Sequence, residues 1–311
     1  MIGEHTYDTS AYKSGLCDLG DGHYSYVECF GNKELPAILF IHGGPGSGFT
    51  DGHKQLFDSN HSHVIFYDQR GAGRSTPYCA VEDNTTNRLI EDIPRVLDYA
   101  GVERVHIVGV SWGVALGLLF AVRYPERVSG FVLASVFLAT RAEAKHFVDG
   151  SVASVYPEAW HRFVMPVPAD ERNTIAEWYL KRMTEGSEEE KDELARRWAI
   201  YDLSISSGVI DCERLERACA SISYRSLVLY TALYIAHDFF LPDGYIQQHI
   251  KELPSVSMSI IHGMQDAVTD VSVAERLHAL VPESQLFLVD AGHGSSAMFD
   301  MIREQVARIY G

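Results

Sequence analysis

Short apolar runs and amphipathic stretches alternate along the first part of the chain. Ala37-Ile38-Leu39-Phe40-Ile41, Val64-Ile65-Phe66-Tyr67, Val105-His106-Ile107-Val108 and Gly130-Phe131-Val132-Leu133-Ala134-Ser135 are short and rich in β-branched and aromatic residues, so they read as strands. Between Thr86 and Gly101, Leu89, Ile90, Ile93, Val96 and Leu97 fall on one helical face. Val114 to Ala121 continues as an apolar helix. Strands alternating with helices predict an α/β fold, a mostly parallel sheet with helices on both faces.

The pattern changes after about Phe137. Charged helix formers dominate, as in Glu188-Glu189-Glu190-Lys191-Asp192-Glu193-Leu194-Ala195-Arg196-Arg197-Trp198, whose acids read as a solvated helix face. The strand pattern resumes at Val256-Ser257-Met258-Ser259-Ile260-Ile261 and Gln285-Leu286-Phe287-Leu288-Val289. The predicted organisation is a core from residues 1–136 and 254–311, with a helical cap, 137–253, inserted between its halves.

Against this frame, Gly109-Val110-Ser111-Trp112-Gly113 carries chemistry. It places a serine between a predicted strand and a predicted helix, the context of a nucleophile elbow. A serine hydroxyl is a weak nucleophile until a base takes its proton. His293 follows a late strand and is the expected base; Asp266 follows the strand before it and is expected to orient the imidazole. The order serine, acid, histidine is that of α/β-hydrolases. His42-Gly43-Gly44-Pro45-Gly46 follows another strand, and acyl transfer needs fixed donors for a developing oxyanion. Those donors are expected from Gly43 or Gly44 and from the amide of Trp112.

Composition narrows the classes. The 311 residues carry a formal net charge of -16, which disfavours nucleic acid as a partner. No apolar run approaches the roughly 20 residues of a membrane span, and Met1-Ile2-Gly3-Glu4-His5 does not begin a secretory leader. The five cysteines are scattered and odd in number, so free thiols in a reducing, cytoplasmic setting are expected rather than disulfides or a zinc site. The sequon Asn84-Thr85-Thr86 would then stay unmodified, and His61-Ser62-His63 reads as surface.

His42-Gly43-Gly44-Pro45-Gly46, Asp68-Gln69-Arg70-Gly71-Ala72-Gly73-Arg74-Ser75 and the serine motif together resemble proline iminopeptidases and related α/β-hydrolase aminopeptidases. The likeness covers nearly the whole core, including Asn84-Thr85-Thr86 and Glu91-Asp92-Ile93. It implies the α/β-hydrolase fold and a cytosolic, cofactor-free serine hydrolase that removes an N-terminal residue, often proline, from short peptides or amides. The likeness weakens in the cap. Where the family has W-x-x-W-E, this chain has Trp198-Ala199-Ile200-Tyr201-Asp202; where the family has E-N-H-Y-F, it has Ala236-His237-Asp238-Phe239-Phe240. In the family those glutamates hold the substrate's amino group. Here Asp202 is expected to bind that ammonium, with Trp198 and Tyr201 lining the same pocket and Asp238 as a substitute second acid, because a buried ammonium needs a carboxylate.

A small peptide or aminoacyl amide is therefore the expected partner, with no nucleic acid and no membrane. An amino-acid amidase is the near alternative. A carboxylesterase or lactonase on neutral acyl groups comes next, and a ligand-binding protein on the same scaffold is a remote fourth.

Overall fold

A computed structural model describes residues 7–311; the Met1–His5 stretch lies outside them. Eight strands form one sheet: β1 (Ala11–Gly20), β2 (His23–Gly31), β3 (Ala37–Ile41), β4 (His63–Tyr67), β5 (Val105–Val110), β6 (Val128–Ala134), β7 (Ser257–Gly263) and β8 (Gln285–Val289). Their order is β1-β2-β4-β3-β5-β6-β7-β8. From β4 to β8 every pairing is parallel, while β2 runs antiparallel to both β1 and β4.

Every residue of β3 and β4 is buried, as expected of strands covered on both faces. Alternation divides their side chains between two cores. Leu39, Ile41, Ile65 and Tyr67 pack on one face, Ile38, Phe40, Val64 and Phe66 on the other. The first helices are α1 (Asp51–Lys54), α2 (Thr86–Ala100) and α3 (Trp112–Arg123). The α2 face predicted from Leu89 to Leu97 is buried; Thr85 caps its start, and Gly101 ends it at φ 76°.

Between β6 and β7 the described residues contain helices and no strand. These are α4 (Arg141–Val148), α5 (Pro157–Val164), α6 (Ile175–Glu185), α7 (Glu188–Ser207), α8 (Cys212–Ala220), α9 (Tyr224–Ala236) and α10 (Tyr245–His249). The last two helices, α11 (Val271–Leu280) and α12 (Ser296–Tyr310), flank β8.

The hairpin β1–β2 has no counterpart in the strand reading above. Its residues mix polar and apolar types, and β1 is largely exposed. His63 also departs from the surface reading. It opens β4, is buried, and its Nε2 meets the Tyr12 hydroxyl at 2.8 Å, whereas His61 stays exposed. Cys17, Cys29, Cys79 and Cys219 are free thiols. No helix among the described residues is long and apolar enough to cross a membrane.

Candidate active site

Ser111 joins β5 to α3 with φ 56° and ψ -120°, a conformation rare for a residue with a side chain. Two contacts hold it there: its amide donates to Ala134 O at 3.0 Å, and its carbonyl accepts from Val114 N at 2.8 Å. The flanking glycines are required by close approach. A Cβ on Gly113 would stand 2.0 Å from Ile41 O, and one on Gly109 would stand 2.6 Å from Gly113 O. The result is a strained turn whose hydroxyl lies in the wall of a cavity of about 320 Å³. Among the described residues the Ser111 hydroxyl has no hydrogen-bond partner.

His293 lines the same cavity. Its Nδ1 faces Asp266 Oδ2 at 2.7 Å, so Nδ1 carries the proton and Nε2 is left as the acceptor. The backbone that carries it is fixed as well: Ser135 Oγ donates to the His293 carbonyl at 2.7 Å, and Gly294 N donates to Ser206 O of α7 at 2.9 Å. Asp266 is saturated. Oδ1 accepts from the amides of Val268 and Thr269 at 2.8 and 3.0 Å, and Oδ2 also takes the Thr269 hydroxyl at 3.2 Å. Burial pushes the Asp266 pKa upward, but His293 and these donors outweigh it, and the net shift is downward. For His293, burial works against the cation, yet Asp266 and then Asp202 overcome it and raise its pKa. Ser111 and His293 thus line one cavity, with His293 oriented by Asp266 behind it and no hydrogen bond between serine and imidazole.

The glycine loop lies against the serine; a Cβ on Gly43 would stand 3.3 Å from Ser111 Cβ. Buried His42 sets the loop's path. Its Nε2 accepts from Gln69 N at 3.0 Å, which leaves the proton on Nδ1 to donate to Gly43 O at 2.8 Å. Gln69 then bridges loop and elbow, donating to His42 O at 2.9 Å and accepting from the Trp112 indole at 3.0 Å. Asp68 accepts from Phe49 N and from Arg74, and Arg70 forks onto Asp92 at 3.0 and 2.7 Å. The Asp68–Ser75 motif is therefore the scaffold of the glycine loop. Among the described residues the amides of Gly43, Gly44 and Trp112 make no hydrogen bond.

Asp202 also lines the cavity, from α7. No hydrogen bond or ion pair to its carboxylate exists among the described residues. Burial raises its pKa to about 6, opposed only by His293. Trp198 and Tyr201 correct the expectation from the cap motif: they do not line the cavity. Both are fully buried one layer behind its wall; Trp198 stacks on Phe147 and meets Tyr179 edge-on, and Tyr201 stacks on Phe163. The Tyr201 hydroxyl donates to Phe147 O at 2.7 Å, so it faces the interior of the helical segment. For Tyr201 the reason is helical rotation, since adjacent positions on α7 point about 100° apart; Trp198 lies one turn before Asp202, where Phe147, Phe163 and Tyr179 enclose it. Asp238 is a second correction. It is about half exposed, away from the cavity, and paired with Arg141 at 2.8 Å. Ala236 does not line the cavity either.

A second acid at the wall is Glu143, missed in the sequence although Thr140-x-x-Glu143 has the form of a capping box. Its oxygens are taken by Leu138 N, Thr140 N and Thr140 Oγ1 at 2.9, 2.9 and 2.6 Å, so it braces α4 rather than offering a free carboxylate. The remaining wall is mainly apolar, with Phe137, Phe147, Leu227, Ile235 and Phe239. Among the described residues no three His, Cys, Asp or Glu side chains are grouped to hold a metal ion.

Residues 36–297 match the alpha/beta hydrolase fold family model. The chain is 31% identical over 285 residues to a probable proline iminopeptidase of Leptolyngbya boryana, covering 91% of this chain and 88% of the relative. It is 32% identical over 292 residues to a proline iminopeptidase of Neisseria gonorrhoeae, covering 91% and 90%. Among solved structures it superposes on an esterase from Rhodococcus sp. ECU1013 with TM-score 0.66, at 19% identity, covering 96% of this chain and 99% of that one. A proline iminopeptidase from Mycobacterium smegmatis gives TM-score 0.63 at 18% identity, covering 96% and 97%. The chain belongs to the α/β-hydrolase family, as a serine hydrolase of its proline-iminopeptidase-like branch.

Proposed function

We propose that the chain releases an N-terminal residue, proline included, from short peptides or small amides through an acyl-enzyme on Ser111. In this reading Ser111 Oγ attacks the scissile carbonyl while His293 Nε2 takes its proton. Asp266 holds the imidazole in the required tautomer and stabilises the imidazolium. The amides of Gly43 or Gly44 and of Trp112 receive the oxyanion. His293 then protonates the departing amine, and water activated by the same base hydrolyses the acyl-enzyme. Residues 137–253 act as a cap over a core built from 1–136 and 254–311. The free thiols accord with a cytoplasmic setting.

The observation that carries the reading is the Asp202 carboxylate, unpaired in the cavity that also holds Ser111 and His293. A half-buried acid with a raised pKa is unfavourable until a cation meets it, and an N-terminal ammonium supplies one. The names of the relatives point the same way. A panel of aminoacyl amides and esters, each paired with its N-acetylated counterpart, tests it. Turnover lost on acetylation is expected; indifference to acetylation would move the chain to the esterases.

A further inference from the structure

The cavity reaches beyond the cap-side wall. Ser47, Thr50 and His53 from the segment after the glycine loop line it too, as do Met298, Phe299 and Ile302 of α12. Met298 and Ile302 belong to the core on one face of the sheet, with Phe49 and Phe57. Phe147 and Phe239 belong to the core on the opposite face. The residues lining the cavity therefore form two groups, or arms: a cap-side arm with Asp202 and an α12-side arm with His53.

His53 is the one imidazole in the α12-side arm. Its Nδ1 accepts from Thr50 N at 3.1 Å, which assigns the ring proton to Nε2. Nε2 is bonded to nothing among the described residues, yet it is not one of the polar atoms sealed off from solvent. The ring is held against Phe40, with centroids 5.0 Å apart. Burial lowers its pKa to about 4, with His42 adding to the shift, so the imidazole stays neutral at working pH. The Ser47 hydroxyl is already committed to Gly43 O at 2.9 Å. The arm thus offers one oriented, uncharged donor against apolar walls.

We infer that the Nε2–H of His53 donates to the carbonyl oxygen of the residue that follows the scissile bond, so that the leaving group is recognised by its carbonyl. This rests on the reading that Asp202 takes the substrate's amine, which assigns the cap-side arm to the released residue and the α12-side arm to the remainder. Among the described residues no Lys or Arg lines the cavity, and an anion brought there would be desolvated without a partner. An uncharged amide carbonyl fits; a free carboxylate does not. The favoured substrates are tripeptides and longer peptides, or dipeptide amides, ahead of free dipeptides and simple alkylamides.

The test compares prolyl-glycinamide with prolyl-n-propylamide, whose leaving groups are similar in length and differ in the carbonyl. Reading the change in their kcat/KM ratio on mutation cancels the difference in leaving-group basicity. His53→Asn keeps an acceptor near the Nδ1 position for Thr50 N and removes the Nε2 donor. It is expected to lower the ratio about tenfold. His53→Gln restores a donor near the Nε2 position and is expected to stay within about threefold of wild type. An unchanged ratio in His53→Asn, or equal ratios in the two variants, overturns the assignment. Should the asparagine variant fail to fold, His53→Gln still decides, because a ratio collapsed about tenfold there contradicts the donor role. N-acetyl-prolyl-glycinamide separates the two levels. Wild-type cleavage of it at the unacetylated rate overturns the amine reading and this assignment with it. A lost His53 effect with amine dependence intact overturns this assignment alone.

Discussion

Asp202 and His293 line one cavity without a hydrogen bond between them, and each shifts the other's proton equilibrium. The Asp202 carboxylate contributes to the raised pKa of His293, after the larger contribution of Asp266. His293 in turn restrains the burial-driven rise of Asp202. The carboxylate proposed to hold a substrate's amine therefore also contributes to the acidity of His293, before any substrate arrives.

The base must be neutral to accept a proton, so activity rises with pH as His293 deprotonates. Its raised pKa puts that limb above the reference value of about 6.5. Asp202 is ionised over most of this range, having a pKa of about 6. Asp202→Asn removes the negative charge and is expected to move the acid limb of kcat/KM to lower pH. A pH profile on a neutral ester reads this without amine binding. A limb that stays in place would mean that Asp202 does not act on His293.

The same carboxyl carries a stability signature. Its pKa rises from 3.8 to about 6 on folding, so the folded state holds the proton more tightly than the unfolded chain. The sign is opposite to that of an ion-paired acid: stability from this group is full below about pH 3.8 and is lost as pH climbs toward 6. Asp202→Asn is expected to melt higher than wild type at pH 8, with the gap closing as pH approaches 4. Thermal melts of both proteins across that range check it.

Ser111→Ala is expected to lower turnover by about four to six decades and to abolish labelling by a serine-directed phosphonate. The melting temperature should change little, because Ser111 Oγ has no partner to lose among the described residues. Labelling that persists in the alanine protein would move the nucleophile elsewhere.

How much of this was legible in the residues depends on what a local pattern encodes. Gly109 and Gly113 are dictated by contacts of 2.6 and 2.0 Å that any Cβ would violate, so the motif and the turn are one fact. Asp266 and His293 were findable because each follows a strand. Asp202 was reached through a motif, but the same motif brought in Tyr201, which the helix turns into an aromatic core, and Trp198, one turn away and enclosed by the same core. A short string on a helix names a neighbourhood and leaves the rotation open. Asp238 failed for another reason: Arg141 is 97 residues earlier, and no local pattern reveals that pair. His53 left no trace either, because its place beside α12 comes from the fold and not from its sequence neighbours.

Tyr201→Phe separates packing from binding. The hydroxyl donates to Phe147 O in a buried setting, so its loss should cost about 1–3 kcal/mol of stability by leaving that carbonyl unpaired. Because Phe147 itself lines the cavity, a small rise in KM is tolerable, but kcat should hold within about twofold. Denaturant unfolding and steady-state kinetics on one substrate settle it. A variant with unchanged stability and a large KM defect would return Tyr201 to the substrate site.

Asp202→Asn gives the sharpest test of substrate class. The substitution keeps size and hydrogen-bonding capacity and removes only the charge. The cavity wall is otherwise mainly apolar, and the other acid there, Glu143, already serves Leu138 and Thr140. An ammonium brought into the cap-side arm therefore has Asp202 as its one uncommitted carboxylate. For free-amine substrates the loss in transition-state binding should be about 1.5–3 kcal/mol, the range for a hydrogen bond to a charged group. For N-acetylated substrates and neutral esters, measured on the alkaline plateau where His293 is neutral in both proteins, the loss should be negligible. Equal losses on both classes would show that Asp202 acts without regard to the substrate's amine. The amine site would then have no carboxylate to build on, and hydrolysis of neutral acyl groups would become the better reading.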